Sequence, residues 1–159
     1  MSTPTFRSSW SSFCTSVGNG LSSLANSIAN GGKVAWNWTK SKLKSAIKAI
    51  STYLTIAKAS QKISSKVKKN SKQRYWKADI INKSGYTYVV LGSAISYSQA
   101  KARVSAGKSV FTVTKAEARN LARNFGGVVG PEIGRKSLGQ YWHYHVNNRK
   151  NKAHIFYIF

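Results

Sequence analysis

The sequence predicts an α+β fold, in which a small, mostly antiparallel sheet with two short helices follows a basic helical N-terminal region. Apolar residues recur with a helical period across residues 33–67, whereas short aromatic and β-branched segments bounded by glycine and serine recur after residue 75. Composition also changes near residue 75, because all three acidic residues lie beyond it. We therefore expect a Ser/Lys-rich helical linker at residues 1–74 and a compact domain at residues 75–159.

The N-terminal region is expected to contain one strong helix and one weak helix. In the strong helix, residues 33–67, apolar positions recur at steps of three and four and lysines flank them, which is typical of a basic amphipathic helix. The apolar positions are Leu43, Ile47, Ile50, Leu54 and Ala57. The weak helix is expected within residues 8–30, and residues 60–74 are interpreted as a solvated tether or a frayed helix end.

The domain is expected to combine short strands with short helices. Strands are predicted at residues 86–91, 109–113, 140–146 and 153–159, and helices at about residues 98–106 and from Thr114 onward. Thr114 and Glu117 have the spacing of a capping box, which explains Glu117 without a catalytic role. The Gly/Pro segment at residues 126–139 predicts a loop, and the last two strands lie close enough in sequence to pair as a hairpin.

The charge balance restricts both the partners and the chemistry. The chain of 159 residues carries 26 lysines and arginines against 3 acidic residues, a formal net charge of +23. Such a chain favours polyanionic partners, namely nucleic acid, an anionic membrane or an acidic protein. Two-metal phosphodiester hydrolysis is disfavoured, because it needs clustered carboxylates and only Asp79, Glu117 and Glu132 are available.

Signals for export or membrane insertion are weak. The single cysteine, Cys14, permits no internal disulfide and no paired-cysteine metal site. No continuous apolar run is long enough for a transmembrane helix. The Ser-rich start of the chain lacks the compact apolar core of a clear signal peptide. Export by a simple cleaved peptide is therefore not indicated.

The three histidines all fall in the last 17 residues. Strand alternation puts His143 and His145 on one face of their strand, and His154 opens the next strand, where it is expected to lie across from them. Three interpretations are open: a metal site, a metal-free catalytic site for RNA, or surface histidines without a catalytic function. An H-x-H pair with a third histidine can form a three-ligand zinc centre, but the scarcity of supporting carboxylates weighs against it.

Metal-free cleavage of RNA is the interpretation that we favour, with no metal or other cofactor. The 2′-hydroxyl of RNA is itself the nucleophile, so the protein supplies a general base, a general acid and cations for the phosphate. Imidazole suits the proton transfers, and a carboxylate would act as base or hold a histidine tautomer. The expected catalytic residues are His143, His145, His154 and Glu132. The expected phosphate-binding residues are Arg149 and Lys150 in the hairpin loop, with the helical pair Arg119 and Arg123, which is most simply a solvated stripe.

Several segments of the second half form an ordered series: VGPEI, then YWHYHV, a basic asparagine-rich turn, and AHIFY. Over residues 75–159 this series resembles the C-terminal effector domains of bacterial polymorphic toxins. The resemblance implies a secreted effector delivered into the cytoplasm of a target cell, commonly a nuclease, with an immunity protein in the producer that is expected to be acidic. The residues that match the motif by position are His143, His145, Arg149 and His154, with Glu132 in the Pro-Glu element. The front half resembles the helical linkers that precede such domains.

Two other functions remain open at this point. In the first, the protein binds nucleic acid through its charge alone, and replacing all three histidines leaves function unchanged. In the second, residues 33–69 lie on an anionic membrane, with Trp36 and Trp38 as interfacial anchors. Neither alternative explains why every histidine falls within one pair of strands.

Overall fold

A computed structural model describes residues 33–133 and 139–159, together with the isolated residues Thr15, Gly18, Asn19 and Ser22. Apart from those isolated residues, the weak helix expected within residues 8–30 lies outside the described part of the chain. The chain divides into two compact units, Met1–Thr55 and Ile56–Phe159. The second unit begins before residue 75, so it includes part of the region expected to be the Ser/Lys-rich helical linker.

The long helix predicted at residues 33–67 is confirmed. Helix α1 spans Lys33–Lys66. Leu43, Ile47, Ile50 and Leu54 on its predicted apolar face are exposed, whereas Ile56, Ile63 and Val67 are buried. The interpretation of residues 60–74 as a solvated tether or a frayed helix end is therefore wrong for residues 60–67. Ile63 and Val67 supply apolar area to the core of the second unit, and this burial orders the end of the helix.

A six-stranded sheet forms the centre of the second unit, with strand order β2-β1-β3-β6-β5-β4. The strands are β1 (Tyr75–Lys83), β2 (Tyr86–Ile95), β3 (Val110–Thr112), β4 (Val129–Glu132), β5 (Trp142–His145) and β6 (His154–Tyr157). Neighbouring strands are antiparallel except for the parallel pair β3 and β6. Two short helices, α2 (Tyr97–Ser105) and α3 (Lys115–Arg123), complete the predicted α+β fold.

Each face of the sheet has its own apolar cluster. On one face, residues of α2 and α3 such as Val104 and Leu121 pack with Tyr144 and Ile155. On the other face, the end of α1 packs with a second set of side chains. That set includes Trp76, Leu91, Phe111, Tyr141 and Phe156. Because side chains alternate along a strand, β6 contributes Ile155 to the first cluster and Phe156 to the second, and the same alternation positions the histidines of β5 and β6.

Two helix starts are fixed by reciprocal hydrogen bonds. The Thr114 hydroxyl accepts from the Glu117 amide at 3.3 Å, and the Glu117 carboxylate accepts from the Thr114 amide at 2.9 Å, as predicted. Ser96 and Gln99 form a second capping box at the start of α2. Each box satisfies backbone donors that a helix start otherwise leaves unpaired.

Strand β4 corrects the prediction of an uninterrupted loop at residues 126–139. Val129 pairs with His145 and Glu132 pairs with His143, so this part of the Gly/Pro segment belongs to the sheet. Gly130 has a φ of +119°, and a Cβ there would lie 2.8 Å from the backbone oxygen of His143. Glycine is therefore needed for the close approach of β4 to β5. Among the described residues, none of the helices combines the length and the apolar character needed to cross a bilayer.

Candidate active site

Three adjacent strands bring the histidines and one carboxylate together. His143 and His145 project from the same face of β5, and His154 begins β6 directly opposite His145. Glu132, the last residue of β4, lies opposite His143 on the other side of β5. The predicted alternation along β5 and the predicted placement of His154 across from it are both confirmed.

The three imidazole rings contact one another closely. Their centroids are 4.9 Å apart for His143 and His145, 5.0 Å for His143 and His154, and 4.4 Å for His145 and His154. The Phe156 ring lies against two of them, 5.3 Å from the His143 centroid and 5.8 Å from the His154 centroid. The cluster therefore adjoins the apolar layer that also contains Phe111.

Glu132 connects a histidine to an arginine. Its Oε1 atom lies 2.5 Å from Nε2 of His145 and 3.5 Å from Nε2 of His143, and its Oε2 atom lies 2.5 Å from Nη2 of Arg149. Nη1 of Arg149 is also 3.1 Å from Nε2 of His145. A guanidinium only donates hydrogen bonds. When Nε2 of His145 donates to Glu132, the contact between Nη1 of Arg149 and Nε2 of His145 is therefore one between two donors.

A tight turn directs Arg149 towards Glu132. Asn147, Asn148 and Arg149 adopt φ values of +51°, +49° and +67° in succession, a conformation that costs free energy for residues other than glycine. Backbone hydrogen bonds of 2.8 Å hold the turn, from the Asn147 amide to the Gly126 oxygen and from the Asn148 amide to the Gly127 oxygen. The segment after α3 thus supports the loop that carries Arg149.

Backbone carbonyls fix two of the histidine tautomers. Nδ1 of His143 lies 3.1 Å from the Tyr141 oxygen, and Nδ1 of His154 lies 3.0 Å from the Lys152 oxygen. A carbonyl only accepts, so Nδ1 carries the proton in both rings. In the neutral state, Nε2 of each ring therefore keeps an unprotonated lone pair. The His154 backbone is held as well, because its amide donates to the Ser109 hydroxyl at 3.0 Å.

The environment lowers the pKa values of His143, His154 and Glu132. Burial lowers the pKa of His143. Burial, together with the neighbouring His145 and His143, lowers the pKa of His154 to about 4. The hydrogen bond from Arg149, together with that from His145, lowers the pKa of Glu132 to about 2. At neutral pH, His143 and His154 are therefore neutral, and Glu132 is an anion and a weak base.

The structure does not bring every predicted residue to this cluster. Arg119 and Arg123 lie on α3, which packs on the sheet face opposite the histidines, so they cannot bind the same phosphate group. Lys150 is exposed and follows Arg149 directly. Sequence reasoning missed Ser109, whose role depends on the pairing of β3 with β6. It also missed the left-handed turn, for which the paired asparagines are the only signal.

The arrangement supports two kinds of chemistry. Neutral imidazoles, a carboxylate and an arginine can transfer protons around a phosphate. The three histidines can also hold a metal ion, because one ring nitrogen from each lies within 4.8 Å of the others. A comparison of the sequence with protein-family models, curated proteins and solved structures finds no match. The geometry of the cluster therefore carries the functional argument.

Proposed function

We propose that the second unit is a metal-independent ribonuclease of the toxin type that acts on RNA of a target cell. One observation carries this proposal: the Glu132 carboxylate joins His145 to Arg149 beside two imidazoles whose Nε2 atoms keep free lone pairs. The cluster thus offers a proton acceptor, a second imidazole held by a carboxylate, and a cation for the phosphate.

The proposed reaction is an internal transfer of the phosphodiester. The 2′-oxygen of one nucleotide attacks the adjacent phosphorus, and the bond from phosphorus to the 5′-oxygen of the next nucleotide breaks. The products are a 2′,3′-cyclic phosphate and a free 5′-hydroxyl. One proton leaves the 2′-oxygen and one reaches the 5′-oxygen, so the step balances without a redox partner.

Four of the described side chains around the histidines act directly in this step, and His143 contributes only as their neighbour. Nε2 of His154 accepts the proton of the 2′-hydroxyl, and the imidazolium form of His145 donates to the leaving 5′-oxygen. Glu132 is a positioning residue, because it binds Nε2 of His145 and leaves Nδ1 for proton transfer. Arg149, whose side chain is half exposed, stabilises the negative charge that develops on the phosphate. The exposed Lys150 adds a second cation.

Long-range electrostatic attraction strengthens the binding of RNA but does not determine which bond is cleaved. The net charge of +23 draws the protein to RNA in a salt-dependent way, and the lysines of α1 contribute to it. The same charge favours an acidic protein as the neutralising partner in the producing cell. Delivery into the target cytoplasm belongs to this proposal.

The test uses the full chain, total RNA and EDTA. We expect cleavage by the parent protein, and a loss of about 10²- to 10⁴-fold in His154→Ala and in His145→Ala. The control, Lys83→Ala, removes one exposed charge at the β1–β2 turn and should cleave like the parent. Equal activity of parent and histidine variants, or no cleavage of RNA by any of them, would overturn the proposal. Cleavage of plasmid DNA with EDTA present would also contradict it, because DNA lacks the 2′-hydroxyl.

The exposed face of α1 favours a second candidate function, contact with an anionic membrane. Leu43, Ile47 and Leu54 are 43%, 58% and 53% exposed, and Lys44 and Lys48 are exposed beside them. A lysine-flanked apolar stripe suits the interface of an anionic bilayer. We expect the full chain to sediment with anionic vesicles and the double variant Leu43→Ser/Ile47→Ser to stay free. Equal sedimentation of both proteins would reject this role for the stripe.

A further inference from the structure

We infer that His143, His145 and His154 form a binding site for a single transition-metal ion of the zinc type, and that the ion inhibits the proposed ribonuclease. The inhibitory part rests on the proposed function, because the ion would occupy ring nitrogens that the reaction uses. The binding part rests on geometry alone and can be tested without RNA.

The spacing of the rings fits one small ion. One ring nitrogen from each histidine lies within 4.8 Å of the other two. Because zinc binds imidazole nitrogen at about 2.0–2.1 Å, tetrahedral ligands lie about 3.3 Å apart, and side-chain shifts on the order of 1 Å would close the site. All three residues lie on paired strands. Folding of the sheet therefore already accounts for most of the conformational entropy that is lost when the three ligands are brought together.

Each ring has an outer partner of the kind that supports a metal ligand. The Tyr141 oxygen accepts from His143, the Lys152 oxygen accepts from His154, and Glu132 accepts from His145. Metal-binding histidines commonly donate their second ring N–H to a carbonyl or a carboxylate, which fixes the tautomer and orients the lone pair. The sequence contains few carboxylates that could support a metal site. In the structure, two backbone oxygens and Glu132 take that supporting role.

The ligand type restricts the choice of ion. Three neutral imidazoles suit zinc, nickel, copper or cobalt, whereas magnesium and calcium prefer oxygen ligands. Asp79 and Glu117 pair with Arg103 and Arg74 and do not add oxygens to the cluster. Three protein ligands leave a fourth coordination position for water. We therefore expect exchangeable zinc and no response to magnesium.

The first experiment measures binding directly. Untagged full-length protein with Cys14→Ser, so that no thiolate competes, is stripped with chelator and titrated with zinc against a chromophoric chelator. We expect one zinc ion per chain, a rise in the melting temperature with zinc, and a tetrahedral absorption spectrum with cobalt. His154→Ala should abolish this binding, and Glu132→Gln should weaken it about 10- to 100-fold. The control, Glu117→Gln, changes a carboxylate outside the cluster and should bind zinc like the parent.

Failure of binding overturns the inference in either of two ways. The first is that the parent protein takes up no zinc at micromolar concentrations, and the second is that His154→Ala keeps the parental zinc affinity. If His154→Ala does not fold, the second variant, Glu132→Gln, and the zinc-dependent melting of the parent decide the question. A parent protein whose melting temperature does not respond to zinc contradicts the site regardless of any variant.

The second experiment adds RNA and separates the two proposals. Zinc should inhibit RNA cleavage by the parent with the same midpoint as binding, EDTA should restore it, and magnesium should have no effect. Cleavage that continues unchanged in a zinc-saturated protein overturns the inhibitory role. Zinc binding at the histidines with no cleavage under any condition leaves the metal site standing and defeats only the proposed ribonuclease.

Discussion

Glu132 Oε1 lies 2.5 Å from Nε2 of His145, although the two residues are 13 positions apart and on different strands. The pairing of β4 with β5 creates this contact, and Arg149 binds the other oxygen of the same carboxylate. An ionised carboxylate that is held by an arginine is better suited to fix an imidazole than to accept a proton. In the proposed reaction, this relationship favours proton transfer by the histidines and orientation of His145 by Glu132.

Replacing Glu132 tests this division of roles. In Glu132→Gln the amide can no longer accept from both His145 and Arg149 as a charged carboxylate does, so we expect kcat for RNA cleavage to fall about 100-fold or more. KM should change little, because Arg149 and Lys150 still attract the phosphate. Glu132→Asp should recover part of kcat. A rise in KM at constant kcat would instead make Glu132 part of the binding surface.

Two neighbouring glycines provide a matched test of the turn that carries Arg149. Gly126 and Gly127 both have positive φ, +64° and +50°, so alanine is strained at either position. A Cβ at Gly127 would lie 2.6 Å from the Asn148 amide nitrogen, whereas a Cβ at Gly126 meets nothing within 4 Å.

We therefore expect Gly127→Ala to displace the turn and to lose RNA cleavage, while Gly126→Ala keeps it. Both variants should melt below the parent because of the backbone strain, and Gly127→Ala should melt lower than Gly126→Ala, because the backbone near its Cβ must also shift. Cleavage rates and thermal melts of both proteins check this expectation. Equal activity in the two variants would show that the position of the turn does not limit catalysis.

Burial at the end of α1 predicts that two isoleucines on the same helix contribute differently to the free energy of unfolding. Ile63 is fully buried in the core of the second unit, whereas Ile47 is 58% exposed. We expect Ile63→Ala to reduce the free energy of unfolding by about 2–5 kcal/mol and Ile47→Ala to change it by about 0.5 kcal/mol or less. Denaturant unfolding of both variants measures the difference. Similar unfolding curves would instead support the predicted boundary at residue 75 between the helical linker and the compact domain.

The sequence was sufficient to predict the elements whose signal is local. The capping box at Thr114 depends on residues three positions apart, and the alternation of His143 and His145 depends on a period of two. Strand β4 was missed, because its glycine and proline are typical of a loop and its pairing with β5 is a long-range property. The buried end of α1 was missed for a similar reason. Ile63 and Val67 are isolated among polar residues, and only the sheet supplies the apolar surface that they contact.

At the candidate site, too, the sequence predicted what depends on local signals and missed what depends on long-range contacts. The sequence brought the three histidines together through the hairpin, and this placement is confirmed. Arg119 and Arg123 were grouped with them by charge alone, and the helix that carries them packs on the other face of the sheet. The backbone oxygens that fix His143 and His154 have no sequence signal, because every residue has a carbonyl.

The pH dependence of stability should report the ion pair between Glu117 and Arg74. Burial acts to raise the pKa of Glu117, but hydrogen bonds from Arg74 and Thr114 outweigh it, so the net pKa is lowered. A lowered pKa in the folded state adds stability above the unfolded pKa, and that stability is lost as the pH falls through the folded value. We expect the parent to melt above Glu117→Gln at pH 7, with the gap closing below a pH of about 4. Thermal melts across this range measure the gap, and a gap that stays constant with pH would mean that the Glu117 charge does not stabilise the fold.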